Sequence, residues 1–293
     1  MSRYLITGAA GMLGRDLQTV FADRDVTALS RADLDITDFS AVTAAVAGHD
    51  VIINASAYTA VDGAETDEER ATAVNGTGAG NLAQAAAAIH ATMVQYSTDY
   101  VFDGQATAPY PEDAPLKPVS AYGRSKAVGE KLVTRYNSER SYIVRTAWLY
   151  GQHGNNFAHT MLRLAADRET LTVVNDQIGQ PTWTIDLARA TLLLLDTGAP
   201  FGIYHGTNSG QASWFDFAQA IFVDAGLDPE RVTPTTSAEF VRSAPRPSHS
   251  VLGHGNWTAA RLPAPRHWKE ALQEAFSSGS LGNSENSASS GAS

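Results

Sequence analysis

The chain has 293 residues, of which 43% are hydrophobic, and its formal net charge at neutral pH is −10. That length suits one large domain, or a nucleotide-binding domain with a smaller partner. Nucleic acids and anionic membranes require clustered Lys and Arg, so the acidic balance predicts that neither is a partner. Because the sequence has no cysteine, disulfides, thiolate catalysis and cysteine-ligated metals are excluded.

The first residues, 1–7, form only a short apolar run before a glycine-rich segment, which is unlike a signal peptide. The sequence also lacks an apolar stretch of the roughly 18 residues that a membrane-spanning helix needs. We therefore expect a cytoplasmic protein that does not associate with membranes.

The first 150 residues alternate β-branched runs with alanine-rich segments, which is the pattern of βαβ units. The predicted strands are Tyr4–Thr7, Val26–Leu29, Val51–Ala55, Thr92–Ser97 and Tyr142–Ala147. The predicted helices between them are Leu13–Asp23, Phe39–Ala47, Glu68–His90 and Ala121–Tyr136. This alternation predicts an α/β fold with a Rossmann-like, doubly wound parallel sheet.

The second half of the chain is less regular. The predicted elements are helices at Phe157–Asp167, Ile185–Asp196, Trp214–Ala225 and Trp268–Phe276, and a strand at Leu171–Val174. Ser213 is a plausible N-cap for the third of these helices. Thr233–Pro247 is rich in Pro, Thr and Ser and is predicted to be a loop. Residues 277–293 are mostly Ser, Gly, Asn and Ala, so we predict a disordered tail.

A glycine-rich loop follows the first predicted strand directly and opens the first predicted helix. It is a GxxGxxG motif, and its residues are Gly8, Gly11, Met12, Leu13 and Gly14. The glycines permit a tight turn with close backbone approach, and the helix N-terminus offers unpaired N–H groups to a pyrophosphate. The position of the motif predicts a dinucleotide-binding site.

The end of the second strand distinguishes NAD from NADP, because an acid there binds the ribose 2′-hydroxyl whereas a cation accommodates a 2′-phosphate. This sequence has Ser30 and Arg31 at that point, which favours NADPH, with NADH also accepted. The alternative is that Arg31 is an ordinary surface residue. Further cofactor contacts are predicted at the carboxyl edge of the sheet, from Asp35, Ile36, Ala55, Ala57 and Tyr58.

Tyr122 and Lys126 stand four residues apart, which places them on one face of a helix. A nearby ammonium lowers the pKa of a phenol by favouring the phenolate, so Lys126 is predicted to activate Tyr122. Thr98 closes the fourth predicted strand, where its hydroxyl is available to a substrate carbonyl. With the glycine loop, these residues predict a carbonyl reductase or alcohol dehydrogenase of unspecified substrate. In the direction of reduction Tyr122 supplies the proton and a nicotinamide the hydride.

Several longer strings extend this pattern. They are residues 54–62 (NASAYTAVD), 97–104 (STDYVFDG), 122–126 (YGRSK), 175–182 (NDQIGQPT), 202–205 (GIYH) and 245–252, which begins PRP and ends SVL. In these stretches the chain resembles the extended short-chain dehydrogenase/reductases, and within them the dTDP-4-dehydrorhamnose reductase family. The resemblance implies that NAD(P)H reduces the C4 keto group of a dTDP-linked 4-keto-6-deoxysugar.

The resemblance also implies a division of the chain. Residues 1–150 would be mainly the NAD(P)-binding domain, and 151–276 mainly a smaller sugar-nucleotide-binding α/β region, partly interleaved with the first. Substrate contacts are implied for Thr98, Asp99, Tyr100, Trp148, Asn175, Gln177 and Arg246. For two of these residues a structural role stays open, since Trp148 would serve equally as core and Arg246 as a brace for a Pro-rich loop.

Related enzymes that dehydrate a nucleotide sugar resemble one another in having an Asp–Glu pair after the catalytic Thr, whereas Asp99 is followed here by Tyr100. Plain reduction is therefore favoured. Some members of the family are described as dimers bridged by Mg²⁺. Asp16 and Asp186 lie in acidic surroundings, but the sequence does not show a cluster of carboxylates that would bind a metal ion. We therefore predict no metal site.

Two alternatives are also compatible with the sequence. One is another NDP-4-keto-6-deoxysugar reductase or epimerase of the same fold. The other is a non-catalytic regulatory subunit, since one branch that resembles this family binds and regulates methionine adenosyltransferase. The intact set of Thr98, Tyr122 and Lys126 disfavours the second alternative. The sequence is compatible with a monomer and with a homodimer.

Overall fold

The computed structural model describes residues 2–281. Its strands are β1 (Arg3–Thr7), β2 (Asp25–Leu29), β3 (Val51–Asn54), β4 (Thr92–Thr98), β5 (Ser141–Thr146), β6 (Leu149–Tyr150), β7 (Leu171–Val174), β8 (Ile178–Gly179), β9 (Thr182–Trp183), β10 (Gly202–His205), β11 (Ala212–Ser213) and β12 (Val232–Thr235). The α-helices are α1 (Met12–Val20), α2 (Phe39–Val46), α3 (Val61–Ala64), α4 (Glu68–Thr72), α5 (Ala79–Ala88), α6 (Ala121–Asn137), α7 (Phe157–Asp167), α8 (Thr184–Thr197), α9 (Trp214–Asp224), α10 (Gly255–Ala259) and α11 (Trp268–Ser277).

Six parallel strands form the central sheet, in the order β2-β1-β3-β4-β5-β10. All residues of β3 and β4 are buried, as expected for strands that carry helices on both faces. Strand order reverses at β1, which pairs with β2 on one side and β3 on the other. The carboxyl ends of β1 and β3 are therefore the switch point at which sheets of this kind bind ligands. The predicted doubly wound α/β fold is confirmed.

Helices cover both faces of this sheet. On one face α1 and α8 bury an apolar cluster that includes Leu17, Leu187 and Leu194. On the other face α2 and α5 pack over Leu5, Ile52 and further side chains of the sheet. None of the helices among the described residues is long and apolar enough to cross a membrane.

The sixth strand of the sheet comes from the second half of the chain. β10 pairs in parallel with β5, with Gly202 opposite Tyr142 and His205 opposite Arg145. The remaining second-half elements build their own apolar cluster from α7, α9 and α11, which includes Phe217, Phe222 and Trp268. The second half of the chain thus contributes one strand to the sheet built by the first half.

Two predictions for the second half were wrong in part. The predicted loop Thr233–Pro247 begins as strand, because β12 pairs with β7 from Val232 to Thr235. Pro234 is tolerated since this sheet has only two strands and each is an edge. The predicted disordered tail starts too early, because Ser277 ends α11 and Leu281 is buried against the same cluster as Trp268. The rest of that tail, 282–293, lies outside the described residues.

Other boundaries agree with the sequence prediction to within a few residues. Ser213 caps α9 as predicted, and its hydroxyl accepts from the Asp216 N–H while the Asp216 carboxylate accepts from the Ser213 N–H. This reciprocal pair is a capping box, which satisfies two backbone donors at the start of the helix.

Candidate active site

The glycine loop leaves β1 at Thr7 and folds against the end of β3. Gly8 has φ +68°, and a Cβ on it would lie 2.6 Å from the backbone of Ala55, so no other residue fits this turn. The N-cap of α1 is Gly11, which provides no side-chain cap for the N–H groups of the first turn. That first turn contains Met12, Leu13 and Gly14. A close-packed loop with an uncapped helix N-terminus fits the pyrophosphate of a dinucleotide.

The second predicted part of the cofactor site lies beside this loop. The Ala9 N–H donates to the Leu29 carbonyl over 3.0 Å, which joins the glycine loop to the end of β2. Ser30 follows immediately, and Arg31 is exposed to solvent. Both residues are therefore within the region where the adenosine ribose of a dinucleotide lies in such folds.

Asp35 and Ile36 have different surroundings. The Asp35 carboxylate accepts from the N–H and the hydroxyl of Thr37, at 2.9 and 2.8 Å. The Ile36 side chain is buried in the core, where it packs so closely on Gly78 that a Cβ there would lie 2.6 Å away. Ile36 thus contributes packing beneath this edge.

A buried polar ladder runs across the carboxyl half of the sheet. The Thr7 hydroxyl donates to Asn54 Oδ1 (2.8 Å), Asn54 Nδ2 donates to Gln95 Oε1 (2.7 Å), and Gln95 Nε2 donates to the Tyr96 carbonyl (2.7 Å). The Lys126 ammonium donates to the same carbonyl, also over 2.7 Å. The ladder therefore connects β1, β3 and β4 to α6.

The three predicted catalytic residues meet at the end of β4. Thr98 is its last residue, and the Thr98 hydroxyl lies close enough to Tyr122 to affect its ionisation. Tyr122 is in the first turn of α6, which Ser120 caps by accepting from the Gly123 N–H. Lys126 is buried one turn later on the same helix.

The electrostatics of this group differ from the sequence prediction. Burial raises the pKa of Tyr122 to about 12, the nearby Asp99 carboxylate adds to the rise, and the Thr98 hydroxyl opposes it. The activation of Tyr122 by Lys126 stays a prediction, since Lys126 is not among the groups that lower the pKa of Tyr122 in this structure. The physical reason is that the Lys126 ammonium is directed at the Tyr96 carbonyl, while burial lowers the pKa of Lys126 itself to about 8. At neutral pH the phenol is protonated.

Asp99 orients the hydroxyl of Thr98. The Thr98 hydroxyl donates to Asp99 Oδ1 over 2.9 Å and accepts from the Tyr100 N–H over 3.2 Å. Burial raises the pKa of Asp99 to about 6, although hydroxyl groups of Ser250 and Thr98 favour its ionised form. Because both hydrogen bonds are local, the position of the Thr98 hydroxyl is fixed by the turn that follows β4.

The predicted substrate residues are divided between two places. Tyr100 packs edge-on against Tyr122, with ring centroids 5.7 Å apart, and so belongs to the catalytic group. Trp148 is half-buried, stacks on Trp214 at 3.6 Å and has φ +46°. A bulky residue in that left-handed region is strained, which is most common at functional sites. Trp148 therefore packs against its neighbours while lying just beyond the end of β5.

The other predicted substrate residues lie on the 175–177 turn and on the Pro-rich segment. The Asn175 N–H donates to the Thr235 carbonyl (2.9 Å), and Gln177 Nε2 donates to the Ser237 hydroxyl (2.8 Å). Arg246 pairs with Asp62 of α3 over 2.8 Å and also donates to the Ala244 carbonyl. The bracing role that the sequence left open for Arg246 is present.

Asp16 and Asp186, the two carboxylates considered for a metal, are engaged with protein partners. Asp16 is buried and accepts from the hydroxyl of Thr184, and Asp186 pairs with Arg266 at 2.7 Å. Within residues 2–281, no cluster of three or more His, Asp or Glu side chains is suitable for holding a metal ion.

Sequence reasoning missed Asn75. It predicted one continuous helix for Glu68–His90, whereas the structure has a π-helical segment, Ala73–Gly78, between α4 and α5. The Asn75 side chain accepts from the Tyr58 N–H (2.8 Å) and donates to the Tyr58 carbonyl (3.0 Å) and the Ser125 hydroxyl (2.9 Å). The Ser125 hydroxyl in turn donates to the Tyr122 carbonyl (2.7 Å).

Asn75 thereby connects the segment after β3 to the first turn of α6. π-Helical turns within α-helices occur frequently at functional sites. The signal in the sequence was Asn75 with Gly76 and Gly78 inside an otherwise alanine-rich helix, since isolated glycines there indicate a packing or functional constraint.

Comparison with known proteins agrees with this geometry. The sequence pattern of a family described as the RmlD substrate binding domain matches residues 2–280. The chain belongs to this family. A dTDP-4-dehydrorhamnose reductase of Streptomyces griseus is 50% identical over 94% of this chain and 93% of its own length. A protein of Streptomyces niveus named dTDP-4-keto-6-deoxy-D-glucose reductase is 47% identical, over 94% and 96% respectively.

A solved structure is equally informative. The dTDP-4-dehydrorhamnose reductase of Bacillus anthracis, crystallised in complex with NADP, has a TM-score of 0.90 to this chain at 38% identity. The match covers 94% of this chain and 99% of the other. The fold and the family predicted from the sequence are thus confirmed.

The position of Asn75 makes a prediction that does not require an activity assay. Asn75→Ala should lower the free energy of unfolding by about 2–3 kcal/mol, because it leaves buried polar partners unsatisfied. It should also speed amide hydrogen exchange at Tyr58 and in the first turn of α6 by at least about tenfold. Denaturant titration and exchange measured by mass spectrometry test both effects.

Asn137→Ala is the matched control. Asn137 is also buried, at the other end of α6, where its amide donates to the carbonyls of Ala91 and Arg140. It should cost stability without increasing exchange at Tyr58. Equal exchange at Tyr58 in the two variants would contradict the role assigned to Asn75.

Proposed function

We propose that this chain reduces the C4 keto group of dTDP-4-dehydro-L-rhamnose to dTDP-L-rhamnose with NADPH, the final step of dTDP-rhamnose biosynthesis. The observation that carries the proposal is the meeting of Thr98, Tyr122 and Lys126 at the sheet edge that also bears the glycine loop. The name of the Streptomyces griseus relative supports this substrate, and the NADP complex of the Bacillus anthracis protein supports the cofactor.

The side chains of the site divide the chemistry as follows. When bound, a reduced nicotinamide supplies a hydride. Tyr122 donates a proton to the C4 oxygen, and its raised pKa keeps the proton available at neutral pH. The Thr98 hydroxyl donates to Asp99 in this structure and would turn its one proton to that oxygen in order to position it. Lys126 places a positive charge beneath the site while it anchors α6 to β4.

Reduction is favoured over elimination because of the residue after Asp99. Elimination needs a general base beside the sugar ring, and a Glu following the Asp would provide one. Tyr100 occupies that position, and burial raises the pKa of its phenol above the ordinary value, so it is not a base at neutral pH. Tyr100 instead packs on Tyr122.

We also propose the division of labour implied by the sequence. Residues 1–150 would bind mainly the dinucleotide, and 151–276 mainly the sugar nucleotide, with β10 crossing into the first sheet. Asn175 and Gln177 would contribute from the second region, and Trp148 from the end of the first. Arg246 would act there while remaining paired with Asp62.

A second candidate substrate has its own support. The Streptomyces niveus relative is named for reduction of dTDP-4-keto-6-deoxy-D-glucose and is almost as similar to this chain as the Streptomyces griseus relative. Turnover of NADPH with the two dTDP-linked keto sugars, and with UDP- and GDP-linked analogues, distinguishes the candidates. Preference for the L-configured dTDP sugar supports the first.

Replacement of the proton donor should be severe. Tyr122→Phe should lower kcat by at least ~100-fold, since it removes only the hydroxyl that protonates the C4 oxygen. Steady-state NADPH oxidation measures this change. Tyr136→Phe is the matched control, because Tyr136 lies exposed near the end of the same helix, and its kcat should stay within about twofold of the unmodified chain. Near-normal kcat in Tyr122→Phe would mean that the donor is misassigned.

The pH dependence of the rate should reflect the ionisation of Lys126. Burial lowers the pKa of its ammonium to about 8, although Glu130 opposes the shift, so the charged form is present below pH 8 and is lost as the pH rises through that value. If the charge assists proton donation, kcat/KM should fall on the alkaline side near pH 8. Tyr122, with its pKa of about 12, stays protonated over the same range.

A Lys126→Arg variant provides the comparison, because a guanidinium does not deprotonate in this range. Whatever its absolute rate, its profile should lack the decline near pH 8. If kcat/KM declines identically in both proteins, the decline reflects the titration of a group other than Lys126.

A further inference from the structure

The turn that follows β2 contains a carboxylate at an unexpected place. The Ser30 N–H and the Ser30 hydroxyl both donate to the same oxygen of Asp33, over 2.9 and 2.6 Å. The Asp33 and Leu34 N–H groups donate back to the Ser30 carbonyl, which closes a tight turn. Asp33 is thus held against the residue that stands directly after the strand end.

Those two Ser30 donors are the groups that a ribose 2′-phosphate would use, because the residue at the end of the second strand is where such folds read that position. An acid in this place binds a ribose 2′-hydroxyl and repels a phosphate. The strand-end position itself has Ser30, not an acid. Asp33 is exposed on the same turn and occupies both of the Ser30 donors.

The charges around this turn disfavour binding of a phosphate. Hydrogen bonds from Ser30 hold the pKa of Asp33 below its usual value, so it is ionised at neutral pH. Hydrogen bonds from Thr37 do the same for Asp35, and the positive charge of Arg31 adds to that shift. The turn therefore carries two ionised carboxylates, Asp33 and Asp35, beside the single guanidinium of Arg31.

We propose that Asp33 is a cofactor-specificity residue, which supplies the acid that the strand-end position lacks and so weakens binding of a 2′-phosphate while favouring a free 2′-hydroxyl. The inference rests on the proposed use of a nicotinamide dinucleotide. It would allow a chain with Ser30 and Arg31 at the NADP-reading position to accept NADH as well. Arg31 and Asp33 act in opposite directions on the same phosphate.

Direct binding of NADP⁺ and NAD⁺ to the full chain, measured by calorimetry, tests this role without reliance on turnover. Asp33→Asn keeps the size of the side chain and an oxygen that accepts from Ser30, but removes the charge. It should tighten NADP⁺ binding by about tenfold and leave NAD⁺ binding unchanged or weaker. Asp25→Asn is the control, because it removes the same charge at the opposite end of β2 and should leave the NADP⁺/NAD⁺ ratio unaltered.

Two further variants should change the NADP⁺ affinity, relative to the NAD⁺ affinity, in the opposite direction. Ser30→Ala and Arg31→Ala should each weaken NADP⁺ more than NAD⁺, because each removes a group that a phosphate would use. If the ratio of NADP⁺ to NAD⁺ affinity is the same in Asp33→Asn and the unmodified chain, the role proposed for Asp33 is wrong. That result would not affect the proposed reductase activity. Failure of the unmodified chain to bind either dinucleotide would overturn the proposed reductase activity as well.

Discussion

Lys126 is buried with its ammonium on the carbonyl of Tyr96, and the position of α6 over the sheet depends on this contact. The same carbonyl ends the polar ladder from Thr7 through Asn54 and Gln95, so the helix is anchored to three strands at once. A buried ammonium without such an acceptor would be costly. This contact therefore sets how closely α6 packs on the sheet and where Tyr122 lies relative to Thr98.

Close packing makes the anchor possible. A Cβ on Gly123 would lie 2.1 Å from the Tyr100 carbonyl oxygen, and a Cβ on Gly129 would lie 2.2 Å from the Asn75 carbonyl oxygen. Both glycines are therefore required where α6 crosses the turn after β4 and the π-helical segment. One turn beyond Lys126, buried Glu130 makes a paired contact with Arg145 of β5, at 2.9 and 2.8 Å. Removal of one partner would leave an uncompensated buried charge.

The sequence allowed prediction of the parts whose signal is local. Strand and helix periodicity, the glycine loop and the four-residue spacing of Tyr122 and Lys126 predicted the sheet, the dinucleotide site and the catalytic helix face. Contacts between distant segments carried no such signal. The pKa of Tyr122 depends on burial and on Asp99, and Asn75 acts through Tyr58 and Ser125. The contact of Asp33 with Ser30 is local, but Asp33 lies four residues past the end of β2, beyond the strand-end position that distinguishes NAD from NADP. The π-helical segment was missed because its surroundings have high helix propensity, and β12 was missed because its segment is rich in proline and threonine.

The central claim is that the site adds a hydride to C4 of a dTDP-linked keto sugar and a proton to the C4 oxygen, and changes no bond at any other carbon. Incubation of the chain with dTDP-4-dehydro-L-rhamnose and NADPH deuterated at the transferable C4 position of the nicotinamide, followed by NMR of the product, tests it directly. The account predicts dTDP-L-rhamnose with deuterium only at sugar C4, and no carbon-bound solvent hydrogen. A product without deuterium at C4, or with solvent hydrogen at a neighbouring carbon, would contradict simple reduction by Thr98, Tyr122 and Lys126.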